Sequence, residues 1–309
     1  MTPKLTAFLI LFLTIYFQKA NSQSPTFIAA LETFQTEQTD REPPSDTLSR
    51  IIRPLFYKEG NQWNSLMDPT TNGHPYPKQM SWSIAYDGKL LGTTRSTIGS
   101  WDHPDCLWCF PRDAYHNPES TDLPIKTAEP ARFMSWSKFE NNYRPLILLS
   151  EPNYRDPQSW KRYTPTPSDL MKLLPSYVAD NNLDALPEGV SITSSEAYRS
   201  ADGALLICVK TISGDSKQYV DPFWYIDSIW YYCDTSGKAL NLSKQINLRF
   251  TLDDFEDDDV AEITLVDAGD YDNDGISEWI FWTPRYNGDG YVLFYNKGQE
   301  MSEFVWSYH

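Results

Sequence analysis

Short hydrophobic runs, rich in aromatic and β-branched residues, recur along most of this chain of 309 residues. Runs of about four to eight residues with this character, bounded by glycine, proline or aspartate, are typical of β-strands. Segment 81–95 alternates polar and apolar positions around an Asp87-Gly88 turn, and segments 145–149, 204–209 and 229–233 are almost continuously apolar. The pattern therefore predicts an all-β protein built from short antiparallel strands.

Two segments carry a helical pattern instead. Residues 27–38 predict a short helix, and the polar, proline-bearing stretch that follows indicates that residues 23–50 form a flexible lead-in to the folded domain. Residues 170–174 have apolar side chains at helical spacing, between the capping segment 167–169 and Pro175. They predict one short helical insertion.

Two hairpins of similar composition are predicted at residues 54–63 and 292–300. Each joins an apolar, aromatic strand to a returning strand through a charged turn that contains glycine, and the returning strand carries a tryptophan (Trp63 and Trp306). Similarity of this kind between distant segments is typical of the repeated blades of a β-propeller. Hairpins are also common enough for two unrelated ones to look alike.

The spacing of turns and the composition both bear on the fold class. The turn glycines Gly203, Gly237 and Gly275 are 34 and 38 residues apart, which suits four-stranded blades. The 11 Trp, 19 Tyr and 15 Phe residues favour pleated, half-buried surfaces, and the 22 Pro residues oppose long helices. We therefore expect a degenerate β-propeller-like stack of antiparallel sheets, and a two-sheet β-sandwich is the alternative.

The N-terminal segment has the features of a secretory signal peptide. Lys4 precedes an apolar stretch from Leu5 to Phe17, and small residues stand at both cleavage positions of Ala20-Asn21-Ser22. Cleavage there would remove residues 1–22, and no later apolar run is long enough to span a membrane; an uncleaved N-terminal anchor is the alternative. We expect a periplasmic or secreted protein with a single all-β domain over residues 51–309.

The net charge of −16 narrows the range of partners. An acidic chain repels nucleic acid and anionic lipid surfaces, so neither is expected to bind. The remaining candidates are an extracellular or periplasmic protein and a glycan. Tryptophans in or beside proline-rich loops could stack on sugar rings, or they could fill the core and the contacts between sheets. They are Trp101, Trp108, Trp136 and Trp160.

One acidic loop carries a pattern that suits a metal ion. Within residues 269–278, aspartates occupy loop positions 1, 3 and 5, glycine occupies position 6 and glutamate occupies position 9. Ca²⁺ takes about six to eight oxygen ligands, which a tight loop can wrap around one point. A solvated acidic turn that binds nothing is the alternative. The predicted Ca²⁺ ligands are Asp270, Asp272, Asp274, the backbone carbonyl of Ile276, and Glu278.

Strands are predicted on both sides of this loop, over residues 261–266 and 279–282. An EF-hand needs a following helix and a glutamate at position 12, where this chain has Phe281. The loop instead resembles the calcium loop of the FG-GAP, or integrin-alpha-type, β-propeller repeat, whose Asp-x-Asp/Asn-x-Asp-Gly-x-x-Asp pattern joins two blade strands. The resemblance covers one complete copy, Asp270 to Glu278, and implies a structural calcium ion in a propeller blade. The final glutamate departs from the family's aspartate.

The four cysteines of an exported chain are expected to form disulfides. Cys208 and Cys233 lie in two predicted neighbouring strands and are the favoured pair, which leaves Cys106 to pair with Cys109. Two alternatives remain open for the second pair. One is a redox dithiol, which the neighbouring aspartates oppose, and the other is a zinc site. The four possible zinc ligands are His103, Cys106, Cys109 and His116.

No catalytic constellation stands out in the sequence. It has no Gly-x-Ser-x-Gly elbow, and the acidic run 253–259 is interpreted as a solvated loop that adds to the field of the nearby cation site. We therefore expect a calcium-binding module that recognises another molecule, and not an enzyme. A secreted carbohydrate-active enzyme and a periplasmic thiol-redox protein are the alternatives.

Overall fold

Antiparallel strands dominate the structure, which is a computed structural model. It describes residues 25–35, 48–67, 76–99, 115–127, 143–152, 154, 156, 159–180, 184–186, 188, 190–213, 229–250, 263–283 and 288–307. Within these residues, the strands form three sheets, accompanied by two helices. In the part of the chain described, neither helix has the length and apolar character that a membrane crossing requires.

The first sheet forms a closed barrel. Its strands are β1 (Phe27–Gln35), β2 (Leu48–Glu59), β3 (Gln62–Ser65), β4 (Gln79–Tyr86), β5 (Lys89–Ile98), β6 (His116–Pro118) and β7 (Leu146–Leu149). Six of them are joined in the order β1-β7-β4-β5-β6-β2, and the pairing of β2 with β1 closes the ring. The remaining strand, β3, forms a hairpin with β2.

The second sheet is open and carries a helix on one face. Its strands are β8 (Lys161–Arg162), β9 (Val190–Arg199), β10 (Leu205–Ser213), β11 (Ile229–Cys233) and β12 (Ala239–Asn241), paired in the order β12-β11-β10-β9-β8. Helix α1 (Pro167–Asp180) buries Leu173 and Tyr177 against this sheet. A second helix, α2 (Leu242–Phe250), follows β12 directly.

The third sheet is a four-stranded meander that lies between the other two. Its strands are β13 (Thr264–Gly269), β14 (Glu278–Trp282), β15 (Gly288–Tyr295) and β16 (Glu300–Ser307). On β14, Ile280 and Trp282 join the core of the barrel, while Trp279 and Phe281 pack with the five-stranded sheet. Successive side chains of a strand point to opposite faces, so a strand buried between two layers needs apolar residues on both faces.

A buried ion pair ties the barrel to the third sheet. Arg53 on β2 donates from Nε and Nη2 to the two carboxylate oxygens of Glu32 on β1, both at 3.0 Å. The Tyr291 hydroxyl of β15 donates to Oε1 of Glu32 at 2.9 Å, and the Trp306 ring centre lies 4.8 Å from the guanidinium carbon of Arg53. Bidentate, charge-assisted hydrogen bonds hold Glu32 and Arg53 in a fixed geometry within the barrel, and the Tyr291 and Trp306 contacts attach the third sheet to this pair.

The predicted all-β class with antiparallel sheets is confirmed. The hairpins predicted at 54–63, 81–95 and 292–300 are present as β2–β3, β4–β5 and β15–β16. The turn glycines do not mark successive blades, however. Gly203 and Gly237 both lie in turns of the five-stranded sheet, so their spacing reflects two hairpins of one sheet.

The helix predicted at residues 27–38 is wrong. Phe27–Gln35 is β1, so the lead-in predicted over residues 23–50 contains a strand of the barrel. The side chains from Phe27 to Leu31 are all buried, which means that both faces of this part of the strand are covered. Such a strand lacks the alternation of polar and apolar residues, and its pattern alone resembles a buried helix.

The predicted helical insertion is present but longer, and α2 is a second helix that the pattern did not indicate. Helix α1 continues through Pro175 instead of ending before it. An internal proline removes one backbone hydrogen bond, but the continued helix buries Tyr177. The cap lies one residue earlier than expected: the Thr166 N–H donates to Asp169 Oδ2 at 2.9 Å, and the Asp169 N–H donates to Thr166 Oγ1 at 3.3 Å.

The predicted disulfide between Cys208 and Cys233 is not formed. Across β10 and β11, Cys208 pairs with Trp230 and Cys233 pairs with Leu205. The two cysteines are therefore three positions apart in register and point to opposite faces of the sheet. Cys208 packs toward the third sheet, and Cys233 packs toward α1.

A fully buried histidine lies where β6 joins β2 and β5. Trp82 Nε1 donates to Ser96 Oγ at 2.7 Å, Ser96 Oγ donates to His116 Nδ1 at 2.8 Å, and His116 Nε2 donates to the Pro77 carbonyl at 2.8 Å. The carbonyl can only accept, so His116 carries a proton on Nε2, and the neutral ring leaves Nδ1 free to accept from Ser96. Burial lowers the pKa of His116 to about 4.

We expect His116 to make the protein less stable as the pH falls from about 6.5, the ordinary pKa of histidine, toward 4. In that window the unfolded chain binds a proton that the folded chain excludes, which costs about 3 kcal/mol in total. Denaturant unfolding across this range is the measurement. His116→Gln should show a shallower fall than the parent, and the difference between the two isolates this group from other titrating residues; parallel curves would contradict the assignment.

Candidate metal site

The acidic loop connects β13 to β14. Gly269 and Glu278 face each other across these strands, so the hairpin brings Asp270, the first carboxylate of the loop, beside Glu278, the last. The element after the loop is a strand and not the helix of an EF-hand. The predicted strand–loop–strand arrangement is therefore confirmed.

Three carboxylates converge in this loop. Asp270, Asp272 and Glu278 each offer an oxygen, and these oxygens all lie within 4.8 Å of one another. Asp270 and Glu278 are buried, and the side chain of Asp272 is only 3% exposed. Repulsion between anions at this separation grows as they are withdrawn from water, so the cluster could hold a metal ion that neutralises it.

The backbone of the loop folds around these carboxylates. The N–H groups of Asp274 and Gly275 donate to Oδ1 and Oδ2 of Asp270, both at 2.9 Å, and the N–H of Tyr271 donates to Oε2 of Glu278 at 2.8 Å. An ionised carboxylate has about four acceptor positions. Asp270 and Glu278 therefore retain lone pairs for a cation after these hydrogen bonds are made.

Asp274 lies at the edge of this cluster. Its side chain is 44% exposed, and its Oδ1 accepts the N–H of Ile276 at 2.8 Å. Asn273 and Gly275 on either side have positive φ angles of 60° and 89°, which turn the chain back and explain the glycine at the sixth loop position. The structure thus brings together three of the five predicted ligands, while Asp274 and the Ile276 carbonyl remain predictions.

A lysine of the barrel reaches the same cluster. Lys58 Nζ of β2 contacts Oδ2 of Asp272, lies 3.5 Å from Oδ2 of Asp274, and lies 5.8 Å from the centre of the Trp63 ring. Sequence reasoning missed Lys58, because no local pattern links a barrel hairpin to a loop more than 200 positions later. The signal that could have pointed to it is the need of a buried acidic cluster for a counter-charge.

Burial and mutual repulsion set the protonation of the cluster. Burial raises the pKa of Asp270 to about 6 and also raises the pKa of Asp272 and of Glu278, and neighbouring carboxylates add to each shift. Burial alone would lower the pKa of Lys58, but the hydrogen bond and charge of Asp272 outweigh it and raise this pKa. Protons and the Lys58 ammonium therefore compete for the same oxygens, and a metal ion would compete with both.

Close packing supports the base of the loop. Tyr271, the second loop residue, is fully buried in the barrel core and donates to Oδ2 of Asp267 at 3.2 Å. A Cβ on Gly269 would collide with the Tyr154 hydroxyl, so glycine is needed for this close approach. The first residues of the loop are therefore held in place by close packing against the barrel core.

The other chemistry predicted from the sequence falls largely outside the described residues. Trp160 is described, and it is a core residue: it is 3% exposed and packs edge-on against Trp279, with ring centres 5.9 Å apart. His116 cannot complete the proposed zinc site, because both of its ring nitrogens are engaged inside the barrel. The predictions outside the described residues concern the signal peptide over residues 1–22, Trp101, His103, Cys106, Trp108, Cys109, Trp136 and the acidic run 253–259.

Comparison with known proteins identifies no relative of this chain. No family model matches the chain, no curated protein matches it, and no solved structure matches it. The function is therefore inferred from the chemistry of the site.

We expect Lys58→Met to destabilise the metal-free protein by about 1–3 kcal/mol, because the buried Asp272 carboxylate loses its counter-charge. The same change should tighten metal binding, since the ammonium no longer competes for Asp272. Denaturant unfolding in excess chelator and a Ca²⁺ titration measure the two effects. Lys172→Met, which changes an exposed lysine of α1, is the control, and equal behaviour of the two variants would contradict the role of Lys58.

Proposed function

We propose that the loop 270–278 binds Ca²⁺ and that this ion stabilises an exported protein whose role is to bind another molecule. The observation that carries the proposal is the convergence of three largely buried carboxylates within 4.8 Å. Their oxygens form a donor set without nitrogen or sulfur, which suits a hard cation better than zinc or copper.

Calcium suits the loop better than magnesium. Ca²⁺ takes about six to eight oxygens at ~2.3–2.6 Å in a flexible geometry, whereas Mg²⁺ demands near-ideal octahedral geometry at ~2.0–2.1 Å. The oxygen ligands of the loop differ in how freely their side chains can move, since Asp270 and Glu278 are buried and Asp274 is partly exposed. Asp274 and the Ile276 carbonyl would complete the shell around the three converging carboxylates, and Lys58 would move away from Asp272.

In this role the ion is structural. It would neutralise the carboxylates at the point where β13 turns into β14, and these strands form one half of the sheet on which the other two layers pack. The free energy of metal binding would therefore add to the stability of the whole fold. This is consistent with a module that presents a surface to a partner rather than with a catalytic metal site.

The resemblance to the FG-GAP repeat supports the same proposal. Asp270 to Glu278 joins two antiparallel strands of a four-stranded meander, which is the setting that the resemblance implies for a calcium loop. The barrel is a closed ring and the second sheet has five strands. We therefore propose kinship with a single propeller blade, limited to the third sheet.

The acidity of the chain and the signal-like N-terminal segment support a periplasmic or extracellular setting, where Ca²⁺ is available. Proteins and glycans are the partner classes that this setting offers, because an acidic surface disfavours nucleic acid and anionic lipid. The binding role itself is proposed from this combination of a structural ion and a rigid β scaffold.

We expect removal of Ca²⁺ to lower the melting temperature. At a calcium concentration of about 1 mM and a dissociation constant of about 10 µM, binding contributes about 2.7 kcal/mol to the free energy of unfolding. Asp272→Ala should melt at the same temperature with Ca²⁺ and with chelator, because it removes one of the three converging carboxylates. Differential scanning calorimetry of the mature chain measures both.

Asp122→Ala is the matched control for this experiment, because Asp122 is an exposed aspartate remote from the loop in sequence. This variant should keep the full response to Ca²⁺. A parent protein whose melting is unchanged by chelator would refute calcium binding, and an equal response to Mg²⁺ at the same concentration would refute selectivity for Ca²⁺.

A further inference from the structure

A cavity of about 190 Å³ lies where the three sheets meet. The β4–β5 turn and Arg144 of the barrel segment form one side, Trp160, Arg162 and Tyr198 of the second sheet region form another, and Asp267 of β13 forms the third. The volume is below the range of about 300–1,000 Å³ that drug-sized ligands occupy. The cavity therefore suits one small molecule.

Positive side chains are concentrated around this cavity, although the chain as a whole carries a net charge of −16. Arg144, Lys161 and Arg162 all line it. Arg144 donates from Nε to the Val266 carbonyl at 2.7 Å, and its guanidinium carbon lies 5.2 Å from the centre of the Tyr86 ring. Burial alone would lower the pKa of Arg144, but the charges of Asp267 and Glu196 add to these contacts and raise this pKa.

A second feature of the cavity is a buried hydrogen-bond donor. Trp160 is 3% exposed, and its Nε1–H has no hydrogen-bond partner among the described residues. Most buried polar atoms are satisfied, and an indole can only donate. A ligand oxygen in the cavity would supply the acceptor.

The acidic groups of the cavity are already engaged or exposed. Asp267 accepts the Asp87 backbone N–H at 3.1 Å and the Tyr271 hydroxyl at 3.2 Å, which leaves acceptor positions for a ligand hydroxyl. The side chain of Asp87 is exposed. Glu196 lies next to the cavity, where it accepts from Tyr198 and lies 3.4 Å from Arg162 Nη2.

We propose that this cavity binds a small hydroxycarboxylate of monosaccharide size, of which a hexuronate is the sugar member. The guanidinium groups of Arg144 and Arg162 pair with the ligand carboxylate, as guanidinium groups do through paired N–H donors. The Trp160 Nε1–H donates to a ligand oxygen, and Asp267 accepts from a ligand hydroxyl. The site is separate from the calcium loop and goes beyond the function proposed above.

Isothermal titration of the mature chain with glucuronate, glucose and inorganic phosphate tests the proposal, in chelator and again in Ca²⁺. Glucuronate should bind at least about tenfold more tightly than glucose, because a charged hydrogen bond is worth about 1.5–3 kcal/mol. Glucuronate should still bind in chelator, provided that the chain remains folded there. If the chain stays folded in chelator but binds glucuronate only when Ca²⁺ is present, the cavity is not independent of the calcium loop.

Three variants define the contacts. Arg144→Gln should weaken glucuronate binding by about tenfold or more. Arg162→Gln should also weaken this binding, and because Arg162 is exposed, the change should leave the fold intact. Trp160→Phe keeps the ring and should weaken binding by about two- to tenfold without lowering stability, because the lost N–H has no partner. Lys172→Gln on α1 is the control and should bind as the parent does.

Three results would overturn the proposal. The first is glucuronate and glucose binding with equal affinity, or neither binding at about 10 mM, which corresponds to less than about 3 kcal/mol of binding free energy. The second is phosphate binding as tightly as glucuronate and responding to the same arginine variants, which would make the cavity a site for inorganic anions. The third is unchanged glucuronate affinity in folded Arg162→Gln and Trp160→Phe proteins.

Discussion

The third sheet is buried on both of its faces, and this double burial constrains the rest of the structure. The barrel covers one face and the five-stranded sheet covers the other, so the strands of the meander have little room for polar side chains. Asp270 directly follows β13 and Glu278 opens β14, whereas Asp267 lies within β13 and accepts the Asp87 N–H and the Tyr271 hydroxyl. The acidic loop lies where the layers leave space for polar chemistry.

The barrel segment supplies positive charge toward this sheet at three places. Arg53 binds Glu32 beneath Tyr291 and Trp306, Lys58 contacts Asp272, and Arg144 donates to the Val266 carbonyl. Lys58 and Arg144 meet an anion or a carbonyl of the third sheet and its acidic loop, whereas Arg53 pairs within the barrel with Glu32, which accepts the Tyr291 hydroxyl of the third sheet. Buried charges are costly unless paired or hydrogen-bonded, so these contacts select one orientation of the barrel against the sheet as well as contributing energy.

Local chemistry could be predicted from the sequence, and long-range assembly could not. The acidic loop was found because its ligands lie within nine positions and because backbone turns obey local rules, as Gly275 illustrates. Lys58 was missed because its partner is far away in the chain. The pattern from Phe27 predicts a helix although the segment is a strand, because burial on both faces removes the alternation on which strand prediction depends.

The cysteine prediction failed for a different reason. Adjacent strands were correctly expected to carry Cys208 and Cys233, but the face on which each side chain lies depends on register, and a shift of one residue reverses it. The structure places the two thiols on opposite faces. Register is set by the packing of whole layers, here α1 on one side and the third sheet on the other, and no short motif encodes it.

The ion pair between Arg53 and Glu32 has a consequence for the modularity of the molecule. Its two charges belong to barrel strands, but Tyr291 and Trp306, which help to enclose them, belong to the last two strands of the chain. A fragment without the C-terminal meander would leave that pair open to water, and the meander alone would expose apolar side chains on two sides. The acidic loop therefore could not be transferred to another protein by itself, because its supporting structure forms only when both the barrel and the C-terminal meander are present.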